Sequence, residues 1–138
     1  MGRIMALDYG GKRCGLAVTD PMRIIATGLT TVETTKLLDF VVDYCKKEQV
    51  DIFVFGIPYR MDGTLSKIAK EIEGFLDMLH KAMPDLPLEG VDETLTSANA
   101  VASLVQSGVP KKKRRNKELI DKVSATLILQ RYMEENDL

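Results

Sequence analysis

Hydrophobic and polar positions along this chain repeat with two periods, and each change of period marks an element. The chain runs apolar from Ile4 to Leu7 and carries one carboxylate at Asp8. It turns at Gly10-Gly11-Lys12-Arg13 and runs apolar again from Cys14 to Thr19. Two short apolar runs joined across a glycine-containing turn predict a β-hairpin. Strand alternation sets Ile4, Ala6 and Asp8 on one face and Met5, Leu7 and Tyr9 on the other. Asp20-Pro21 predicts a turn, and Ile24 to Thr31 a third strand. From there the period lengthens. Thr34 or Thr35 can cap a helix to about Glu48, with Leu37, Leu38, Val41, Tyr44 and Cys45 on its inward stripe. Val50 to Ile57, VDIFVFGI, is short, apolar and rich in β-branched and aromatic residues, which predicts a buried strand. Ser66 can cap a second helix to about Met83, with Ile68, Ile72, Phe75, Leu76 and Leu79 inward, and Pro84 and Pro87 end it. Leu88 to Asp92 predicts a short strand. Thr96 or Ser97 opens a further helix that Gly108 stops, and Asn116 caps a last one over about Lys117 to Glu135.

The resulting order is βββαβαβαα: three meander strands, then alternating helices and strands. It predicts an α/β fold with a mixed five-stranded sheet, an antiparallel three-strand meander plus parallel strands, flanked by helices on both faces. The 138 residues are expected to form one domain, 1–138. A chain of that length can bury about two-thirds of its unfolded surface without disulfides or metals.

Composition removes several function classes. No apolar run approaches the roughly 20 residues of a membrane span, and the N-terminus lacks a signal-peptide pattern, so no membrane association is expected. Cys14 and Cys45 form no CxxC pair, which suits a reducing, cytoplasmic setting. His80 is the one histidine. A Cys/His zinc site is therefore disfavoured, and a Ser-His-Asp triad would have to use a residue whose neighbours Leu76 and Leu79 suit packing better than catalysis. Carboxylates and hydroxyls must carry most of any chemistry. The net charge of −1 hides an asymmetry: the stretch 111–117, KKKRRNK, holds six of the 19 basic residues and leaves about −7 for the remainder. That local block suits an anionic partner.

Three acids stand out against this background. Asp8 ends a strand that is apolar on both faces, where a carboxylate is costly unless paired, hydrogen-bonded or metal-bound. Asp92-Glu93 closes a later strand, where sites gather in α/β sheets. Asp121 lies beyond the first turn of the last helix, and its neighbours Ser124, Ala125 and Ile128 form a small apolar face. Each acid alone also fits a structural role, as a turn cap, a solvated strand end or a helix-edge charge. Together they can converge into an acidic cluster, which repels itself without a cation. Hard oxygen donors suit Mg²⁺ or Mn²⁺.

At this point the motifs line up with a family. D-Y-G-G-K-R-C-G-L-A-V-T-D (Asp8 to Asp20) resembles the first motif of the YqgF/RuvX family of RNase H-like nucleases. G-I-P-Y-R-M-D-G-T (Gly56 to Thr64) is similar to its Gly-x-Pro…Asp-Gly loop, and D-E-T-L-T-S (Asp92 to Ser97) to its Asp-Glu-Arg-Leu-Thr motif. R-R-N-K-E-L-I-D-K-V-S-A (Arg114 to Ala125) matches its closing motif. Thr94 departs from the pattern, standing where the family usually has Arg, and Ser124 replaces a commoner Ala. The resemblance implies an RNase H-like fold. It implies a metal-dependent endonuclease acting in 5′-end processing of precursor 16S rRNA, with Holliday-junction resolution as the alternative. Carried over by motif, Asp8, Glu93 and Asp121 would be the catalytic, metal-holding carboxylates, working with two ions. Lys12, Arg13 and the block Lys111, Lys112, Lys113, Arg114 and Arg115 would contact nucleic acid. Gly10, Gly11, Asp92, Thr96 and Ser97 would line the site, the glycines either approaching a phosphate or serving only the turn. RNA is the favoured partner and branched DNA the other. With no clear dimer face in the sequence, a monomer is expected, and a dimer would favour junction cutting. Two other readings compete: a phosphate-binding domain of the actin-like sugar kinase group, and a non-catalytic nucleic-acid-binding module.

Overall fold

The computed structural model describes residues 2–57, 67–92 and 116–137. Its strands are β1 (Arg3–Asp8), β2 (Arg13–Thr19), β3 (Ala26–Glu33), β4 (Val50–Ile57) and β5 (Leu88–Asp92). Its helices are α1 (Leu37–Lys47), preceded by a 3₁₀ turn at Thr34–Lys36, α2 (Lys67–Ala82) and a last helix, here α3 (Lys117–Glu135). The strands form one five-stranded sheet in the order β3-β2-β1-β4-β5. β1 pairs antiparallel with β2, and β2 with β3, while β1–β4 and β4–β5 are parallel. The expected mixed sheet is present.

Strand alternation divides the core into two layers. Met5, Leu7, Leu16 and Phe53 face α1 and α2, meeting Leu37, Val41, Phe75 and Leu79. Ile4, Ala6, Ala17 and Val54 face α3, meeting Ala125, Ile128 and Leu129. Helices therefore cover both faces. Each fully buried large side chain contributes about 1.5–3 kcal/mol, and the centre of β1 is sealed, with Ile4 to Leu7 all at 0 % exposure. Such burial makes the end of β1 a rigid platform for whatever follows it.

Two boundaries differ from the sequence expectation. β3 begins at Ala26, not Ile24, because the amides of Ile24 and Ile25 both donate to Asp20 Oδ1 at 2.8 Å and close a loop there. The segment before α1 has no side-chain cap, because the Thr34 hydroxyl donates to the Gly10 carbonyl instead. At α3 the expected cap is present: Asn116 Oδ1 accepts from the amides of Glu118 and Leu119 at 2.9 and 3.3 Å. The Asp62-Gly63 loop, the helix expected from Thr96 or Ser97 and the basic block lie outside the described residues.

Candidate active site

Asp8 is the last residue of β1 and pairs with Gly15 of β2. It shares the α3 face with Ile4 and Ala6. Gly15 is where α3 comes closest to the sheet. A Cβ at this position would overlap the Asp121 carbonyl and lie 3.0 Å from the Lys122 amide nitrogen. Only a glycine lets the helix seat here, and Ser124 and Ala125, both 0 % exposed, continue that close packing. The small residues on α3 thus bring it onto β2. The outcome is that Asp8 and Asp121 flank one glycine, each half-buried. Both carboxylates also act electrostatically on the Cys14 thiol, which packs in the α1–α2 layer on the other side of the sheet.

Arg13 opens β2 and lies beside Asp121, its Nε donating to Oδ2 at 2.9 Å. Both side chains remain partly accessible, at 34 % and 27 %. Within the protein, Arg13 therefore has Asp121 as a partner, and the ion pair helps to orient that carboxylate. Lys12, at the turn, is exposed. The turn is locked from β3's end, where the Thr34 amide donates to the Lys12 carbonyl at 3.0 Å and its hydroxyl to the Gly10 carbonyl at 2.7 Å. Gly10 has a turn reason for lacking a Cβ, which would overlap the Arg13 carbonyl. At Gly11 a Cβ would meet only Ile68 Cδ1, at an ordinary 3.7 Å.

Asp92 ends β5 beside Ile57 of β4, two strands from Asp8. Leu88 packs with the α1–α2 layer and Val91 belongs to the α3 layer. Alternation therefore points Asp92 toward α1 and α2, away from the face of Asp8 and Asp121. The structure does not bring it into their cluster. Glu93, Thr96, Ser97 and Lys111 to Arg115 lie outside the described residues. His80 is exposed on α2, with no place in this region.

Do these residues suit a divalent cation? Among the described residues, no three His, Cys, Asp or Glu side chains come together as a metal cage. The Asp8–Asp121 pair supplies hard oxygen donors on one face. The one soft donor nearby is withheld: burial pushes the Cys14 thiol up, more than its bonds with Thr34 and the Gly10 carbonyl lower it, so it stays protonated. Oxygen donors without thiolate or imidazole fit Mg²⁺ or Mn²⁺ and disfavour zinc.

Sequence reasoning missed two positions that build this site. Gly15 interrupts an apolar strand, and an isolated glycine in a strand is the signal of a close backbone approach. Thr34 gave no such signal, because its partner Gly10 lies 24 residues away.

Comparison with known proteins gives the geometry a lineage. A protein from Bacteroides fragilis, named "Putative pre-16S rRNA nuclease", is 49% identical over 138 residues and covers all of both chains. A Christiangramia forsetii protein of the same name is 50% identical over 135 residues, 98% of this chain and 100% of its own. In fold, the chain is similar to Thermus thermophilus RuvC in complex with a Holliday junction substrate, with TM-score 0.61 at 13% identity, covering 99% and 96% of the two chains. It is also similar to the Fowlpox virus resolvase solved with Holliday junction DNA, with TM-score 0.53 at 13% identity, covering 96% and 99%. Residues 2–135 match the family described as "RuvX: Holliday junction resolvase". The five-stranded sheet, the order of the motifs and the sequence identity all agree: this chain belongs to the RuvX family.

Proposed function

We propose that the protein is a metal-dependent endonuclease whose substrate is precursor 16S rRNA, with Asp8, Glu93 and Asp121 as its catalytic carboxylates. The observation that carries the reading is the placement of Asp8 and Asp121 on either side of Gly15, on the α3 face of the sheet. The relatives' names supply the substrate. Glu93 joins them by its motif, Asp92 to Ser97.

These three acids would hold Mg²⁺ or Mn²⁺, two ions in the complete centre. A bound ion of this kind supplies an activated water near neutral pH and neutralises charge on the phosphodiester and its leaving oxygen. The chain's own residues prepare the place. β1 fixes Asp8 through its sealed centre, and Gly15 sets how near Asp121 stands. Arg13 fixes the orientation of the Asp121 carboxylate and reduces its repulsion with Asp8. Lys12 and the block Lys111 to Arg115 would neutralise backbone phosphates, which makes binding steeply salt-dependent.

A second reading, cutting of four-way DNA junctions, is favoured by the family's description and by the junction-bound structural neighbours. Side-by-side cleavage of a precursor-rRNA fragment and a four-way junction, with Mg²⁺, separates the two. Cleavage of the RNA at one site with the junction left intact supports the rRNA reading. Symmetric paired cuts in the junction with intact RNA would replace it.

A further inference from the structure

Gly28 of β3 is a second glycine beneath α3, and a side chain occupies the space it leaves. A Cβ there would lie 2.7 Å from Lys122 Cγ and 3.1 Å from its Cδ, with Thr126 Oγ1 at 3.2 Å. The stem of Lys122 is therefore laid across β3 in the place of the missing methyl. A glycine inside a strand weakens it and marks a close approach. Here the approach is made by a cation, the residue that follows Asp121. The usual helical partner for Lys122 is Glu118, one turn earlier and in the order that favours an ion pair. The ion pairs of the described residues do not include this one. Its stem is seated on Gly28 instead.

Lys122 lines a groove of about 380 Å³ between β3 and the start of α3, together with Thr31, Asn116 and Glu118. Thr31 pairs with Gly15, and Gly15 with Asp8, so the three stand in one row across the sheet. Residues paired in this way share a face. Thr31 accordingly meets α3, its hydroxyl donating to the Glu118 carbonyl at 2.7 Å. Two strand spacings, roughly 10 Å, separate this wall of the groove from Asp8. Asn116, on the groove's edge, directly follows the basic block Lys111 to Arg115. Its Oδ1 already accepts from the amides of Glu118 and Leu119, so the start of the helix is satisfied from within. The charge left for a ligand is that of Lys122.

We propose that this groove is a subsite for a backbone phosphate of the substrate strand, near the phosphodiester to be cut. Lys122 is the cation that meets the phosphate, and Gly28 is the residue that positions Lys122. A lysine ammonium serves a phosphate as a point charge with three donors, and a stem fixed along most of its length loses less freedom on binding. Glu118 opposes the phosphate from the same groove, so seating Lys122 on Gly28 keeps the ammonium from being spent on that carboxylate. The assignment rests on the nuclease reading above and adds a path to it: from Asp8 the strand runs toward β3. A phosphate is common to RNA and DNA, and both belong in the test.

The test reads binding, not cleavage. The full-length chain carrying Asp8→Asn is the parent, titrated by fluorescence anisotropy with single-stranded RNA and DNA of one sequence over a range of salt. Adding Lys122→Gln should weaken both about fivefold near 0.1 M salt and lower the slope of log affinity against log salt by about 0.7, the loss of one phosphate contact. Lys122→Arg should restore the slope, and Lys46→Gln, on exposed α1 surface, should leave it unchanged. Gly28→Ala is the sharper variant. Its methyl displaces a flexible stem and no backbone, so the thermal midpoint should hold or rise while affinity falls as far as in Lys122→Gln, and the two together should lose no more than either. Neutral methylphosphonates placed singly along the RNA should reveal one phosphate whose loss weakens the parent and not Lys122→Gln. Absence of such a position, parent-like binding by Lys122→Gln or by Gly28→Ala, or an equal loss in Lys46→Gln overturns the proposal. A loss confined to RNA also overturns it, in favour of a contact to the ribose hydroxyl. Failure of the wild-type chain to cut RNA in Mg²⁺ strikes the nuclease reading, whereas the binding panel judges the groove by itself.

Discussion

Gly15→Ala is the sharpest perturbation of the link between fold and site. The added methyl would overlap the Asp121 carbonyl and press on the Lys122 amide. Both are backbone atoms of a helix, so no side chain can swing aside. The strand and α3 must separate by about an ångström, at the position where β2 pairs with Asp8. Overpacking of this kind costs about 1–3 kcal/mol. For a chain of this size that lowers the thermal midpoint by roughly 3–10 °C. The same movement carries Asp121 away from Asp8, and a misplacement near 1 Å costs about 10²-fold in rate. The assay pairs urea denaturation with single-turnover cleavage at a temperature where the variant is folded. A variant that loses stability but cuts within about threefold of wild type would refute the claim that this contact positions a catalytic Asp121. Unchanged stability would refute the contact itself.

Three further outcomes follow from the same contacts. Thr34→Val removes the hydroxyl that holds the Gly10 carbonyl, so it should lower stability by about 1–2 kcal/mol in urea denaturation, and no change would mean the turn is held by other means. Cys14, whose thiol burial pushes up, should react with a disulfide reagent at neutral pH only as fast as the protein opens; fast reaction in the native state would show an accessible thiolate. Asp51 is held below its ordinary 3.8 by the Gln49 side chain first, then by the Gly2 amide and Arg23. Its stabilisation is therefore present above that value and is lost as pH falls through the lower folded one. Urea midpoints taken from about pH 5 down to about pH 2 should fall more steeply for wild type than for Asp51→Asn, and parallel curves would remove Asp51 as a source of acid sensitivity.

Local signals explain what could be read from the chain. Asn116 caps α3 because its side chain reaches amides two and three residues on, and such a signal is written in adjacent letters. β4 runs from Val50 to Ile57 as expected, because a continuous apolar run bounded by turns has few other solutions. The anomalous acid at Asp8 was visible because burial on both faces of its strand was visible. Long-range contacts were not. The start of β3 moved because Asp20 captures two amides that periodicity counts as strand. The ion pair of Arg13 could not be read from the chain, since its partner Asp121 stands 108 residues away. Asp92 was expected to line the site from its place at a strand end, but which face it takes follows from the register of β4 and β5, where it pairs with Ile57. Parity across a sheet is fixed by pairing, and pairing is not a property of any one segment.

The most direct test of the central claim is single-turnover cleavage of a precursor-rRNA fragment by Asp8→Asn across a Mg²⁺ titration, with RNA affinity measured on the same preparation. If Asp8 holds the cation that Asp121 shares, the variant loses about 10³-fold or more in rate at every Mg²⁺ concentration. It binds the RNA as tightly as wild type or more tightly, having shed one negative charge. Cleavage within tenfold of wild type, with the same Mg²⁺ dependence, would contradict the account.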